Sequence, residues 1–322
     1  MKVLVTGATG FLGTHIASRL GEDHDVVRLV RTSPSPGDRR GDVLDPATLL
    51  LAMAGCEAVV HAAGAVSHAA ADAARMYDVH VRGTENTLAA AREAGVRRVV
   101  VIGSSGTTAV SSRPGHVADE RTPSPLDVVA KWPYYRSKLF AEQAALEAAD
   151  LEVVVLSPSL LLGPGDERGT AVRAVQYLLD GEVPAAPPGG ICFVDVRDVA
   201  EAACSALERG SPGSRYLLGA ANWSFAEFYE RLARIAEVPA PSLRLPKVTR
   251  RVLEFLPKAA PAAFRSGPFA AFGRVGREDL EFGCYWWWVD SSRARDELGF
   301  EPRDPGGTLA DTVHDLRSRP VA

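Results

Sequence analysis

The segment Val3-Leu4-Val5-Thr6-Gly7-Ala8-Thr9-Gly10-Phe11-Leu12-Gly13 decides the fold. An apolar strand runs directly into three glycines spaced three apart, and a helical pattern follows. Gly7 permits a tight turn, Gly10 lets the backbone approach a ligand, and Gly13 lets the helix pack close to the strand. The N-terminus of a helix favours negative charge, because free N–H groups point outward there. The segment therefore predicts a site for the pyrophosphate of a dinucleotide.

The sequence on either side of this segment alternates between strand and helix patterns. Apolar, β-branched runs predict strands at Lys2–Thr6, Asp25–Val30, Ala58–His61, Val99–Gly103 and Leu151–Ser157. Segments of helical period lie between them, at Phe11–Leu20, Pro46–Met53, Met76–Ala94 and Tyr134–Ala149. Strands that are apolar along their whole length are typical of a sheet covered on both faces. The predicted fold class is therefore α/β, a Rossmann doubly wound parallel sheet with a smaller, mostly helical C-terminal substrate lobe.

The alternation of strands and helices is interrupted after Pro158, where proline and glycine become frequent. Two later strands, predicted at Cys192–Val196 and Arg215–Leu218, are expected to return to the sheet. We expect residues 1–164, completed by strands near 191–219, to form the dinucleotide-binding domain. Residues 165–190 and 220–322 are expected to form the substrate-binding lobe.

The composition is that of a globular protein. The chain has 322 residues, of which 46% are hydrophobic and 24% are charged, and its formal net charge is −4. This composition excludes general disorder and provides no basic surface for nucleic acid. We expect neither a secretion signal nor a membrane span, because the patterns of both are missing. The four cysteines lie far apart, so we expect no zinc site or disulfide framework, and a cytoplasmic location.

The end of the second predicted strand indicates which dinucleotide is preferred. Arg31 stands there, where an NAD-preferring site usually places a carboxylate for the ribose hydroxyls. A guanidinium suits the 2′-phosphate of NADP(H), so we expect NADP(H) to be preferred, with NAD(H) as the alternative. Asp42 and Val43 are expected near the adenine. The small residues Ala62-Ala63-Gly64 leave room for the cofactor backbone.

Tyr134 and Lys138 stand four residues apart and therefore share one face of a helix. A lysine ammonium close to a phenol is expected to lower the pKa of the phenol, because it stabilises the phenolate. The phenol can then exchange a proton with a carbinol oxygen near neutral pH. Upstream, the strand Val99–Gly103 ends in Ser104 and Ser105, and a serine at this edge of the sheet can hydrogen-bond the same oxygen.

These motifs together resemble an extended short-chain dehydrogenase/reductase of the NAD-dependent epimerase/dehydratase superfamily. The chain is most similar to its dihydroflavonol-reductase-like and hopanoid-associated sugar-epimerase-like groups. The resemblance spans nearly the whole chain, through Thr6–Gly13, Gly41–Pro46, Val79–Asn86, Ala94–Arg98, Asp119-Glu120, Tyr134–Glu142, Ser157–Ser159, Val194–Ala200 and Asp290–Pro302. It implies that Ser105, Tyr134 and Lys138 are the catalytic trio. Ser105 is preferred over Ser104 because the family serine is the last one before a small residue, here Gly106.

The resemblance also implies that Pro158 and Ser159 line the nicotinamide. The residues expected to contact the cofactor are Gly7, Thr9, Gly10, Phe11, Leu12, Gly13, Arg31, Asp42, Val43, Ala62, Ala63, Gly64, Tyr134, Lys138, Pro158 and Ser159. One position departs from the family pattern Asn-Val-x-Gly-Thr, because His80 replaces the asparagine. We expect His80 to keep a structural hydrogen bond; the alternative is a changed proton relay.

The substrate side of the sequence leaves two chemistries open. Three arginines are candidates for holding the diphosphate of a sugar nucleotide: Arg168, Arg173 and Arg197. Five aromatic residues suit an apolar or aromatic carbonyl compound instead: Trp132, Tyr135, Phe193, Phe269 and Phe272. The run Trp286-Trp287-Trp288 fits either core packing or an outward-facing partner surface or lid.

The resulting hypothesis is an NADP(H)-dependent oxidoreductase that reduces a ketone or aldehyde to an alcohol, or catalyses the reverse. A sugar-nucleotide epimerase or dehydratase that retains its cofactor is the alternative, and a non-catalytic NADP-binding regulator is the second alternative. The resemblance also implies a homodimer through the Ala-rich helices near 76–94 and 134–149.

Overall fold

The computed structural model describes residues 1–32, 34–67, 70–166, 172–255 and 277–319. The strands are β1 (Lys2–Thr6), β2 (Asp25–Val30), β3 (Arg39–Arg40), β4 (Ala58–His61), β5 (Arg98–Ile102), β6 (Val117–Ala118), β7 (Glu152–Pro158), β8 (Leu160–Leu162), β9 (Ala185–Ala186), β10 (Gly190–Asp195), β11 (Ser214–Leu218), β12 (Ala221–Ser224), β13 (Leu243–Arg244) and β14 (Trp288–Val289). The helices are α1 (Phe11–Leu20), α2 (Pro46–Met53), α3 (Ala73–Tyr77), α4 (Gly83–Ala94), α5 (Leu126–Val129), α6 (Pro133–Leu146), α7 (Arg173–Leu179), α8 (Val196–Glu208), α9 (Phe225–Ala236), α10 (Thr249–Phe255), α11 (Arg277–Phe282), α12 (Ser292–Leu298) and α13 (Pro305–Ser318). Arg168, Phe269 and Phe272 lie outside the described residues.

Seven parallel strands form the central sheet, in the order β11-β7-β5-β4-β1-β2-β3. The chain moves outward from β1 through β2 and β3, and then crosses back to β4 and continues in the other direction. The strand order therefore reverses between β1 and β4. Open α/β sheets bind ligands outside the carboxyl ends of their strands at such a reversal. The predicted doubly wound α/β fold is confirmed.

The central sheet is buried on both faces, as its continuous apolar strands predict. Successive side chains of a strand point to opposite faces. Val3 and Val5 pack with residues of α1 and α8 on one face, and Leu4 packs with residues of α2 and α4 on the other. Each such buried aliphatic side chain contributes about 1.5–3 kcal/mol to folding. These two layers fix β1 and the start of α1 in place.

A separate three-stranded sheet contains β10, which pairs in parallel with β8 and antiparallel with β12. The prediction that the strand at Cys192–Val196 returns to the central sheet is therefore wrong, whereas β11 does join it beside β7. Phe193 explains the difference, because its ring packs against Trp223 and Phe228, at 5.0 and 5.8 Å between ring centroids. This aromatic packing holds β10 to α9 and β12, outside the central sheet.

The helix predicted at Met76–Ala94 is divided into α3, a π-helical turn at Asp78–Arg82, and α4. Single π-helical turns inside α-helices are frequent at functional sites. The helix predicted at Tyr134–Ala149 is α6, which begins at Pro133, a residue suited to the first helical position. Within the described parts of the chain, no helix has both the length and the apolar character needed to cross a bilayer.

Candidate active site

The turn between β1 and α1 has the shape that a pyrophosphate requires. Gly7 adopts a φ of +68°, and a Cβ there would lie 2.6 Å from the backbone of Ala62. A Cβ at Gly13 would lie 2.0 Å from the carbonyl oxygen of Gly7. At Gly10 the nearest atom that a Cβ would meet is the same oxygen, at 3.2 Å, and no side chain caps α1. The absent side chain thus leaves space open beside the helix N-terminus, so the turn fits a dinucleotide pyrophosphate.

The loop after β4 lies against this turn, at the reversal of strand order. The N–H group of Ala62 donates to the carbonyl oxygen of Thr6 at 3.2 Å, and the N–H group of Ala63 donates to the side-chain Oγ1 of Thr6, also at 3.2 Å. A Cβ built on Gly64 would lie 3.7 Å from Nζ of Lys138. The structure therefore brings the small residues Ala62–Gly64 together with both the glycine turn and Lys138.

Arg31, Asp42 and Val43 lie at the carboxyl ends of β2 and β3. Arg31 is exposed, and it makes no ion pair with another described residue. Arg28 differs, because it makes two hydrogen bonds to Asp38, of 2.7 and 2.9 Å. Oδ1 of Asp42 accepts from the N–H group of Leu44 at 2.9 Å, and Val43 is buried. Among the described residues no carboxylate pairs with this guanidinium, which stands beside the position expected for the adenosine.

Lys138 lies beside the carboxyl end of β5, with only 8% of its surface exposed. Its Nζ donates to the carbonyl oxygen of Ile102 at 2.9 Å. Burial lowers the pKa of Lys138 to about 8, and the negative charge of Glu142 acts in the opposite direction. Glu142 is itself buried one turn along α6, and Oε1 accepts from Arg215 at 2.7 Å. Glu142 was not predicted from the sequence as a separate contributor, although the i, i+4 spacing places it next to Lys138.

Tyr134 is half-buried. Burial raises the pKa of its phenol to about 12, and hydrogen bonding to Ser104 acts in the opposite direction. The expectation that Lys138 lowers the pKa of this phenol is not met in this structure, because burial raises that pKa. The phenol is protonated at neutral pH.

Ser104 is the serine that acts on the Tyr134 hydroxyl, because hydrogen bonding to it lowers the pKa of the phenol. Oγ of Ser104 also accepts from the N–H group of Gly106 at 3.3 Å, which caps the 3₁₀ turn Ser105–Thr107. Ser105 is buried within that turn. Ser105 therefore stays a prediction, and Ser104 becomes a second candidate for the serine that acts with Tyr134.

An aromatic cluster continues from Tyr134 towards the C-terminal lobe. Its members are Trp132, Tyr135, Phe282, Tyr285 and Trp287. The rings of Tyr134 and Tyr135 are 5.1 Å apart, and Trp287 lies 5.2 Å from Tyr135. Tyr135 also covers Gly106, where a Cβ would lie 2.2 Å from its ring. Trp132 and Tyr135 were predicted from the sequence, whereas Phe282 and Tyr285 were not.

Trp287 belongs to the core-packing alternative, because only 5% of its surface is exposed. Trp286 and Trp288 are half-buried, and Nε1 of Trp288 donates to the carbonyl oxygen of Trp223 at 3.0 Å. Phe193 is fully buried in the core of the lobe and lines no cleft. Sequence pattern alone does not separate these positions, because alternate residues of a short strand face different surroundings.

The arginines proposed for a diphosphate have different surroundings. Arg197 donates to both carboxylate oxygens of Asp195, at 2.9 and 2.7 Å, and to Asp311 at 2.6 Å. Arg173 is half-buried at the start of α7. Arg197 is thus paired with two carboxylates. Among the residues that the structure describes, this leaves Arg173 as the candidate for holding a diphosphate.

The sheet, the glycine turn and the Tyr134–Lys138 pair define a dinucleotide-binding enzyme of the short-chain dehydrogenase type. The chain belongs to the NAD dependent epimerase/dehydratase family, whose model matches residues 3–219. It is an extended short-chain dehydrogenase/reductase that depends on NAD(P).

The proteins to which this chain is similar include both reductases and epimerases. The chain is 32% identical to a putative dihydroflavonol 4-reductase of Synechocystis, over 96% of this chain and 93% of that protein. The crystal structure of gox2253 is 32% identical, with a TM-score of 0.81 and coverage of 98% and 97%. A nucleoside-diphosphate-sugar epimerase from Pseudomonas aeruginosa, PA4631, is 27% identical, with a TM-score of 0.75 and coverage of 98% and 97%.

Proposed function

We propose that this chain reduces a ketone or aldehyde to an alcohol, or catalyses the reverse, with NADP(H). The observation that carries the proposal is the environment of Tyr134. Its hydroxyl is protonated and is acted on by Ser104, the residue lies one helical turn from Lys138, and its ring adjoins a cluster of aromatic rings. Such a site presents a proton donor beside an apolar surface, as the reduction of an apolar carbonyl compound requires.

The proposed cofactor contacts follow the carboxyl edge of the sheet. The N-terminus of α1 at Gly10 would hold the pyrophosphate, and Arg31 would hold the 2′-phosphate. Asp42 and Val43 would contact the adenosine, Ala62–Gly64 would leave room for the cofactor backbone, and Lys138 would hold the nicotinamide ribose. Pro158, the last residue of β7, and Ser159 would line the nicotinamide ring.

The chemistry divides between the cofactor and three side chains. When bound, NADPH would supply the hydride that the carbonyl carbon takes up. The Tyr134 hydroxyl donates a hydrogen bond to the carbonyl oxygen and gives up its proton as negative charge develops there. Ser104 hydrogen-bonds either the carbonyl oxygen of the substrate or the tyrosine hydroxyl. We retain Ser105 as the second candidate serine in this turn. The charged form of Lys138 stabilises the phenolate that Tyr134 becomes.

A second candidate function is epimerisation or dehydration of a sugar nucleotide with a retained cofactor. The similarity to PA4631 supports it, and Arg173 is the described arginine left to meet a diphosphate. The paired state of Arg197 and the aromatic cluster beside Tyr134 favour the reductase. A non-catalytic regulator remains the second alternative.

One experiment separates these functions. The purified chain is desalted and its released nucleotide is identified, and NADPH consumption is then followed with aromatic and aliphatic ketones and aldehydes. We expect exchangeable cofactor, tighter binding of NADPH than of NADH, and turnover of apolar carbonyl compounds. Tightly retained NAD together with conversion of UDP-sugars would establish the epimerase instead. Cofactor binding without any turnover would favour the regulator.

We also propose a cytoplasmic homodimer and a substrate lobe built from residues 165–190 and 220–322. Two aromatic side chains support the dimer: Tyr77 on α3 and Phe140 on α6 are 43% and 42% exposed. Their rings are 6.3 Å apart on the helices predicted to form the interface. A second copy of the chain would remove this apolar surface from water.

A further inference from the structure

We propose that His80 is a positioning residue that holds the loop after β4 and the Tyr134 turn of α6 in one fixed arrangement. This inference rests on the proposed function, because it assigns the loop after β4 to the cofactor site and the Tyr134 turn to the substrate site. His80 lies in the π-helical turn Asp78–Arg82, with 1% of its surface exposed. Both ring nitrogens are engaged, and each one reaches a different element.

The contacts of His80 fix its tautomer. Nε2 accepts from the backbone N–H group of Ala65 at 3.0 Å. A backbone N–H group can only donate, so Nε2 carries no proton and Nδ1 carries it. Nδ1 therefore donates to Oγ of Ser137 at 2.8 Å, and Oγ of Ser137 donates to the carbonyl oxygen of Tyr134 at 2.8 Å. One imidazole thus connects the residue after Gly64 to the backbone of Tyr134.

The surroundings of His80 indicate an orienting role, because the partner of Nε2 is a backbone N–H group, which passes no proton on. Burial lowers the pKa of His80 to about 2, and the charge of Lys138 adds to this effect. The ring is therefore neutral throughout the working pH range. It packs edge-on against the Tyr134 ring, at 5.6 Å and 81°. A Cβ on Gly64 would lie 3.3 Å from Nε2, so the imidazole also sets how closely the loop approaches α6.

The π-helical turn brings His80 into this position. A π turn inserts a residue into a helix and redirects the side chains around it. The carbonyl oxygen of His80 accepts from Oγ1 of Thr84 at 2.6 Å, which keeps that group paired. Because both bonds of the ring are directional, a shift of either the loop or α6 would break one of them. The imidazole therefore couples the proposed cofactor loop to the proposed proton donor.

Two conservative variants separate the two contacts. The amide of His80→Gln reaches the Nε2 position and keeps the bond to Ala65, whereas the amide of His80→Asn reaches the Nδ1 position and keeps the bond to Ser137. His80→Phe keeps the ring and loses both bonds. The dissociation constant for NADPH is measured by fluorescence titration without substrate, and kcat is measured on an accepted carbonyl compound.

We expect His80→Gln to keep the NADPH dissociation constant within about twofold and to lower kcat about tenfold, as expected for the loss of one buried hydrogen bond. His80→Asn should show the reverse, and His80→Phe should show both losses. His24→Gln, the same change at a histidine beside Cys204, is the matched control and should alter neither quantity.

Equal losses of affinity and kcat in the Gln and Asn variants, or no loss in His80→Phe, would overturn the positioning role. A thermal midpoint measured for each variant distinguishes unfolding from a change at the site. If the unmodified chain turns over no carbonyl compound, the proposed function fails. The affinity comparison then still supports or overturns the role of His80, because it needs no substrate.

Discussion

Tyr134 and Lys138 share one face of α6, yet the Tyr134 hydroxyl and the Lys138 amine interact with different groups. Hydrogen bonding to Ser104 lowers the pKa of the phenol, and the carbonyl oxygen of Ile102 accepts from the amine. With pKa values of about 12 and about 8, both groups carry their protons at neutral pH. A neutral phenol beside a charged amine suits the donation of a proton, and this is the direction that carbonyl reduction needs.

The first prediction concerns pH and Lys138. The reduction rate should be constant below a pKa of about 8 and should fall above it, because Lys138 loses the charge that stabilises the phenolate. A profile of kcat against pH measures this fall. In Lys138→Arg the guanidinium stays charged, so the fall should disappear even if the overall rate is lower. An identical fall in both proteins would contradict this role for Lys138.

The second prediction distinguishes the two adjacent serines. Ser104→Ala should lower kcat about 100-fold, as removal of one donor to a developing oxyanion does. Ser105→Ala, the matched control, should have a much smaller effect, since Ser104 is the serine that lowers the pKa of Tyr134. Steady-state kinetics of the two variants provide the comparison. A larger loss in Ser105→Ala would restore the serine that the family resemblance implies.

At the scale of elements, the glycine turn and α1 were predictable because their causes are local. The predicted bounds of β1, α1, β2, α2 and β4 agree with the structure. The sheet to which β10 belongs was not predictable, because an apolar run looks the same in either sheet. The π-helical turn was hidden for a similar reason, since the helical pattern runs through it without a break. The raised pKa of Tyr134 depends on tertiary burial, which no local pattern records.

The third prediction separates binding from folding within one turn. Gly10→Ala should leave the thermal midpoint almost unchanged and should raise the NADPH dissociation constant about tenfold, because its methyl group occupies the space beside the helix N-terminus. Gly13→Ala should instead lower the free energy of unfolding by about 1–3 kcal/mol through overpacking. Thermal unfolding and fluorescence titration measure the two effects. Equal destabilisation by both changes would contradict separate roles for the two glycines.

At the scale of the whole molecule, the proposed site is built from two parts of the chain. Residues from the ends of β1, β4, β5 and α6 supply the proposed cofactor and proton-donor groups. The aromatic cluster beside Tyr134 includes Phe282, Tyr285 and Trp287 from the C-terminal part of the chain. The substrate surface therefore draws on residues far apart in sequence, which explains why motifs identified the chemistry more readily than the substrate.

The fourth prediction concerns assembly. Phe140→Asp should convert a dimer into a monomer, because it places a charge in the apolar surface shared with Tyr77. Leu51→Asp is the control, since Leu51 is also exposed but lies on α2. Sedimentation velocity gives the two masses. A monomer for the unmodified chain, or a dimer for Phe140→Asp, would contradict the proposed interface.

The fifth prediction tests the central claim, that the Tyr134 hydroxyl gives its proton to a carbonyl oxygen. The decisive measurement is kcat for NADPH-dependent carbonyl reduction by Tyr134→Phe, taken together with its dissociation constant for NADPH. The account predicts that kcat falls about 100- to 10,000-fold while the affinity changes little, because only the proton donor is removed. Undiminished reduction by Tyr134→Phe would contradict it.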